Sequence, residues 1–275
     1  MTEMGNARSM WILGRGGFLG TAIAREAASG GYSVFPQKTI PWNSPKQREI
    51  VLKETAEEFS VFTRDTAPTI IWAAGSEGVA ISSSHLTSEG DSFQDFVDIL
   101  SQIDTLFGAT VVIISSAGGV FSGSPTPPFS VDSPAQSING YGRNKIAIED
   151  LAVAQLNSLY RVHIARITNL YGPWPGPRQG LINRLCTAAA TREALQIYVP
   201  LDTVRDYIYV SDAARLLLLE IDLAQNSEAS PSISLIGSGE NSSIGTVINT
   251  VSHVSHRKIP VTIAQGKVTQ LQPRD

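Results

Sequence analysis

Four short runs of large apolar residues, Trp11-Ile12-Leu13, Ser33-Val34-Phe35, Thr69-Ile70-Ile71-Trp72 and Val111-Val112-Ile113-Ile114, recur along the first half of the chain. Runs this short and this continuously apolar read as strands buried on both faces. The stretches between them, residues 19–29, 45–62 and 91–107, read as helices. Strands that alternate with helices need crossover connections, so the expected fold class is α/β, built on a doubly wound parallel sheet. A chain of 275 residues has material for such a sheet and for a second, smaller lobe. After Arg166 the spacing loosens and prolines gather in "YGPWPGPRQG" (171–180), where the chain is expected to leave the sheet. The expected division is a sheet domain from 1–166 with 206–238, and a small substrate-binding lobe from 167–205 with 239–275.

Composition closes off several function classes. The net charge is −4 with no block of like charges, which speaks against a nucleic-acid partner. The longest aliphatic run, Leu216 to Leu219, is far too short for a bilayer, and the polar "MTEMGNARSM" lacks the apolar stretch of a signal peptide. No membrane association is expected. The single Cys186 excludes an internal disulfide and fits a reducing compartment, so a cytoplasmic location is expected. His85, His163, His253 and His256 form no metal-ligand spacing with Cys186, and no metal site is expected.

The first apolar run ends in "LGRGGFLG", where Gly14, Gly17 and Gly20 give G-x-x-G-x-x-G between a strand and a helix. The first glycine makes a tight turn, the middle one admits a pyrophosphate to the backbone, and the third lets helix and strand pack closely. Amides at the helix start attract phosphates. The pattern predicts a dinucleotide-binding Rossmann domain, with Gly14, Arg15, Gly16, Gly17, Phe18, Leu19 and Gly20 along the coenzyme. The competing reading is a flexible turn. About 20 residues beyond the glycines, a carboxylate would hold a ribose 2′-hydroxyl and favour NAD. That region reads "VFPQKT", with Gln37 and Lys38 and no carboxylate. Lys38 and Arg15 suit a 2′-phosphate, so the expected coenzyme is NAD(P), with NADP favoured over NAD; the alternative is two solvated surface cations.

A long segment rich in Gly, Pro and Ser, residues 117–140, follows the fourth apolar run and precedes "YGRNK". Leaving a strand, it would lie over the carboxyl edge of the sheet, where α/β proteins bind ligands. Tyr141 and Lys145 stand at i and i+4, on one face of an expected helix. An unperturbed phenol is a poor base at neutral pH, and an adjacent ammonium favours the phenolate. Such a pair arises by chance on many exposed helices. Downstream of a glycine loop and of "VVIISSA", it points to proton transfer beside a coenzyme.

Taken in order, these motifs resemble the extended short-chain dehydrogenases/reductases, and among them the NAD-dependent epimerase/dehydratase family with its nucleotide-sugar epimerases. The likeness runs through "LGRGGFLG", "IIWAAG" at that family's fourth strand, and "VIISSAGGVF" at the strand carrying a serine. It continues through "YGRNKIAIE" at the Tyr/Lys helix, "ARITNLYGP" at the crossing into the substrate lobe and "RDYIYVSDAA" at the return. The resemblance implies Tyr141 as catalytic acid/base, with Lys145 tuning it and holding the coenzyme ribose. It implies Ala73, Ala74, Gly75 and Ser115 along the coenzyme, and Asn169 and Arg205 at the diphosphate of a nucleotide-sugar substrate. Arg205 paired with Asp206 or Asp212 is the competing reading, and Arg166 reads as structural.

The sequence departs from the family at several points. The family's catalytic hydroxyl falls on Ala117; Ser116 is expected to substitute, the alternatives being Ser122 of the loop or a step that proceeds with less assistance. Ala117-Gly118-Gly119 stands where sugar-nucleotide 4,6-dehydratases carry Thr-Asp-Glu, which speaks against that reaction. Residues 76–110 hold no asparagine, where the family often has one in the helix before the serine strand. The sequence ends at "LQPRD", so the lobe is expected to be shortened, with Arg274 standing near a second phosphate contact of relatives. The expected function is an epimerase acting on a nucleotide-linked sugar through a transient keto intermediate. The alternatives are an NADPH-dependent reductase of a keto sugar nucleotide and a non-catalytic dinucleotide-binding sensor. A homodimer paired through two helices of the sheet domain, one bearing the Tyr/Lys pair, is also expected.

Overall fold

The computed structural model describes residues 8–63, 67–75, 83–176 and 180–263. The chain runs β1 (Arg8–Leu13), α1 (Phe18–Ser29), β2 (Tyr32–Val34), α2 (Pro45–Phe62), β3 (Ala67–Trp72), α3 (Ser83–Leu100) and β4 (Thr110–Ser116). It continues through a one-turn α4 (Ala117–Val120), α5 (Gly140–Leu156), β5 (Arg161–Ile167), β6 (Asn169–Tyr171), α6 (Leu181–Thr191), β7 (Leu195–Ile197) and β8 (Val204–Tyr209). The last described elements are α7 (Val210–Gln225), β9 (Ser232–Ile236), β10 (Asn241–Ser243), α8 (Ile244–Val254) and β11 (Val261–Ile263).

Six parallel strands make the central sheet in the order β2-β1-β3-β4-β5-β9, with helices on both faces, so the α/β expectation holds. Alternation along each strand divides the side chains between two cores. Trp11 and Leu13 of β1 join Leu52, Phe59, Trp72, Phe93, Phe96 and Ile148 under α2, α3 and α5. Met10 and Ile12 pack the other way, against Ile23 of α1 and Leu217 and Ile221 of α7. The Trp72 and Phe96 rings lie 4.9 Å apart. Each fully buried ring of this kind contributes about 1.5–3 kcal/mol relative to exposure. Chain order reverses between β1 and β3, which opens a crevice at their carboxyl ends.

A smaller lobe carries a three-stranded sheet, β10-β8-β6, and the pair β11-β7, with α6 and α8 packed around Leu185, Ile197, Ile244 and Ile248. Of the return expected at 206–238, Asp206 to Tyr209 stay in β8 of this small sheet; α7 and β9 make the return. The third helix spans Ser83–Leu100 rather than 91–107, because Ile103 and Leu106 continue its apolar spacing on a turn and a 3-10 segment, Asp104–Leu106. The "IIWAAG" stretch begins on β3, and among the described residues no strand stands between β2 and α2. No described helix is long and apolar enough to cross a membrane.

Candidate active site

Gly14 takes φ +86°, and a Cβ there would stand 2.5 Å from the Ala73 carbonyl carbon. A Cβ on Gly20 would stand 2.2 Å from the Gly14 oxygen. These two glycines let the end of β1, the end of β3 and the start of α1 meet. Gly17 caps α1 without any side-chain hydrogen bond. Thr21 N–H donates back to the Gly17 carbonyl at 3.0 Å, so the amides of Phe18, Leu19 and Gly20 precede the first bond of the helix. Gly17, Phe18, Leu19 and Gly20 line a cavity of about 450 Å³. Bare amides at the positive end of a helix, with no Cβ at the cap, fit a pyrophosphate. Gly14, Arg15 and Gly16 are not among its lining residues.

The same cavity gathers most of the other expected residues: Ala73, Ala74, Gly75, Ser115, Ser116, Tyr141, Lys145, Asn169 and Arg205. Lys38 stays outside, on the surface, where its ammonium donates to Glu58 at 2.7 Å and Glu54 at 3.4 Å on α2. Its charge is answered there by two carboxylates.

Tyr141 is fixed by close packing between α4 and α5. Ser116 Oγ accepts from Gly119 N–H at 3.2 Å and starts α4; Asn139 Oδ1 accepts from Gly142 N–H at 2.8 Å and starts α5. A Cβ on Gly142 would fall 2.0 Å from the Gly119 oxygen, and one on Gly119 would fall 3.0 Å from the Tyr141 ring. Lys145, one turn on, is 7% exposed, with its Nζ 5.8 Å from the Tyr141 ring centroid. It donates to Glu89 Oε1 of α3 at 2.7 Å. Burial alone would lower the Lys145 pKa; the charges of Glu89, Tyr141 and Glu149 and the bond to Glu89 turn it upward.

The three serines differ in use. Ser115 borders the cavity, but its hydroxyl donates to Glu149 at 2.5 Å, and Glu149 also accepts from Arg166 Nη2 at 2.7 Å. Ser116 borders the cavity with its oxygen engaged as the α4 cap. Ser122 donates to the Gly119 carbonyl at 3.0 Å and accepts from Asn139 Nδ2 at 3.3 Å, away from Tyr141's cavity. With Ala117 it lines a second cavity of about 660 Å³, which shares Thr168, Asn169 and Arg205 with the first. Asn169 Nδ2 donates to the Asp206 carbonyl at 2.9 Å, and Arg205 Nη1 to the Val204 carbonyl at 2.7 Å. Of the acids considered for Arg205, Asp212 pairs with Arg215, and Asp206 accepts from Thr168, Ser238 and Gly239.

Sequence reasoning missed Glu89, Glu149, the Asn139 cap, the Gly119–Gly142 contact and Trp174, whose ring centroid lies 5.6 Å from that of Phe18 beside the cavity. Asn139 was readable, as a capping residue type just before the helix. The side chain of His85, together with Arg274 and the end of the lobe, lies outside the described residues.

Residues 10–237 match the NAD dependent epimerase/dehydratase family. A UDP-glucose 4-epimerase of Azospirillum brasilense is 31% identical over 185 residues, which are 59% of this chain and only 53% of the relative. A UDP-glucose 4-epimerase of Bacillus subtilis (strain 168) is 22% identical over 288 residues, covering 93% of this chain and 85% of the relative. The crystal structure of the Thermus thermophilus UDP-glucose 4-epimerase in complex with NAD superposes with a TM-score of 0.76 at 18% identity, covering 98% of this chain and 88% of that one. That likeness shows a shared fold. The family match spans the glycine loop, the Tyr/Lys helix and the return into the sheet, and by it the chain belongs to the NAD dependent epimerase/dehydratase family of NAD(P)-dependent enzymes.

Proposed function

We propose that the protein is an NAD(P)-dependent epimerase of a nucleotide-linked sugar that works through a transient keto intermediate. One observation carries this reading: Tyr141 and Lys145 share a cavity with the uncapped start of α1 and with Asn169 and Arg205 of the small sheet. The amides of Phe18, Leu19 and Gly20 would hold a pyrophosphate, and Lys145 the adjoining ribose. When bound, the nicotinamide supplies a reversible hydride acceptor. Tyr141 takes the hydroxyl proton as the sugar carbon is oxidised, and returns it after the keto sugar has presented its other face. The Arg205 guanidinium suits the substrate's diphosphate, with Asn169 beside it. Ala117 brings no hydroxyl to this step; of the two serines that border the cavity, Ser115 donates to Glu149, which leaves Ser116 as the candidate.

The preference for NADP rests on Arg15, since Lys38 is held by Glu54 and Glu58. The homodimer is likewise a proposal: α3 and α5 lie side by side, Gln94 donating to Gln155 at 3.3 Å, and the polar Asp91, Asp98, Arg143 and Asp150 face outward.

Mass spectrometry of the coenzyme retained by the purified protein, followed by incubation with UDP-glucose, tests the reading. Interconversion without net coenzyme consumption is expected. Tyr141→Phe is expected to lower turnover by about 10²–10⁴-fold while coenzyme affinity is kept. Net oxidation of NADPH with a keto sugar nucleotide would assign the reductase instead. Coenzyme binding with no turnover of any sugar nucleotide would assign the sensor.

A further inference from the structure

Lys145 has a partner that the epimerase reading does not use. Its ammonium and the Glu89 carboxylate lie 2.7 Å apart with side chains only 9% and 3% exposed. Gly75 leaves the space for them: a Cβ there would stand 2.7 Å from Glu89 Oε1 and 3.2 Å from Lys145 Nζ. Gly75 and Lys145 both line the candidate coenzyme cavity, and Glu89 is not among its lining residues.

A buried ammonium without a counter-charge sheds its proton. Among the described residues, the other ionisable groups around Lys145 are the Tyr141 phenol and the Glu149 carboxylate on α5. Glu149 is itself held by Arg166 of β5, through Nε at 3.2 Å and Nη2 at 2.7 Å, and by the Ser115 hydroxyl of β4. Arg166 offsets the Glu149 charge. Among the described residues, Glu89 accepts the one hydrogen bond that Lys145 donates.

Resting on the coenzyme reading above, we propose that Glu89 is a positioning residue: it clamps Lys145 at the coenzyme cavity as a protonated ammonium through one N–H, leaving the other two for the ribose. Lys145 would then enter the site already charged and already placed. Without the Glu89 charge, its protonation, and with it coenzyme binding, becomes sensitive to pH in the mildly alkaline range.

Glu89→Gln keeps the shape and a hydrogen bond and removes the charge. Calorimetric titration with NAD from about pH 7 to pH 9.5 is expected to give a nearly flat affinity for the wild type. For Glu89→Gln it is expected to fall by at least about fivefold over that range as Lys145 deprotonates. A loss equal at every pH, as a merely structural role would give, overturns the proposal. So does a flat profile at wild-type affinity. A second measurement needs only wild-type protein: the 13Cε NMR signal of Lys145, assigned by its absence in Lys145→Met, is expected to stay in the ammonium position to above about pH 9. Titration below that overturns the proposal even if Glu89→Gln fails to fold. Neither measurement uses a sugar, so failure of sugar-nucleotide turnover counts against the proposed function and leaves this test standing.

Discussion

His163 stands in the middle of β5 with its ring between two serines of β9, Nδ1 lying 2.8 Å from Ser232 Oγ and Nε2 3.0 Å from Ser234 Oγ. Burial pushes its pKa down from 6.5 to about 4. The folded state therefore binds this proton less readily than the unfolded chain does. The stability that follows is fully present above about pH 6.5 and is lost as pH falls toward 4. The difference of about 2.5 pH units corresponds to roughly 3 kcal/mol. Urea midpoints measured from pH 8 to pH 4 are expected to fall through that window, and His163→Gln to fall less steeply there. Equal slopes would show that the imidazole does not carry the effect.

His163 also illustrates what the residue pattern could not reveal. Lys145, Glu149, Arg166 and Glu89 are all buried, yet each is charged, and a count of apolar spacing assigns such residues to the surface. Their burial depends on partners supplied by other elements: Glu89 lies 56 positions from Lys145. Tyr141 and Lys145 were legible because their spacing is local. The carboxylate that answers Lys145 was not, because only the tertiary fold brings α3 against α5.

At the scale of elements, the site depends on how closely α4 approaches α5. A Cβ on Gly142 would stand 2.0 Å from the Gly119 oxygen and 2.2 Å from Ser137 Oγ, with backbone on one side and a hydrogen-bonded loop on the other. Gly142→Ala must push α4 away from α5, at a cost of about 1–3 kcal/mol, and it displaces the neighbouring Tyr141. Melting temperature and turnover are both expected to drop, turnover by more than the lost folded fraction explains. Gly118→Ala is the control: its Cβ would meet nothing within 4 Å, and it should change neither. Helix α4 itself was hidden in the sequence, since a Gly-Gly pair has poor helix propensity. It forms because Ser116 caps it and α5 receives it. By contrast α1 and α2 lie within a residue of their expected bounds, because glycines or Ser44-Pro45 mark their starts and apolar spacing marks their buried faces.

Across the whole molecule, the cavity joins two layers that fold around separate cores. Its coenzyme end is built on the central sheet, and its Arg205 end on β8 of the small sheet. The order of motifs made the central sheet legible. The small lobe was less so: its strands run three to six residues, and "RDYIYV" has a strand's pattern without saying which sheet it joins. That division predicts separable binding. Arg205→Met is expected to weaken a nucleoside diphosphate such as UDP by about 10–100-fold, the worth of one charge-assisted contact. NAD affinity should stay within about twofold, because the glycine loop stands at the carboxyl edge of the central sheet and Arg205 on β8 of the small one. Arg205→Lys keeps the charge and loses the planar fork, so it should recover only part of the UDP affinity. Calorimetry with each ligand alone decides. A parallel loss of both would mean that Arg205 acts by holding the lobes together, since β8 runs straight into α7 and α7 packs against α1.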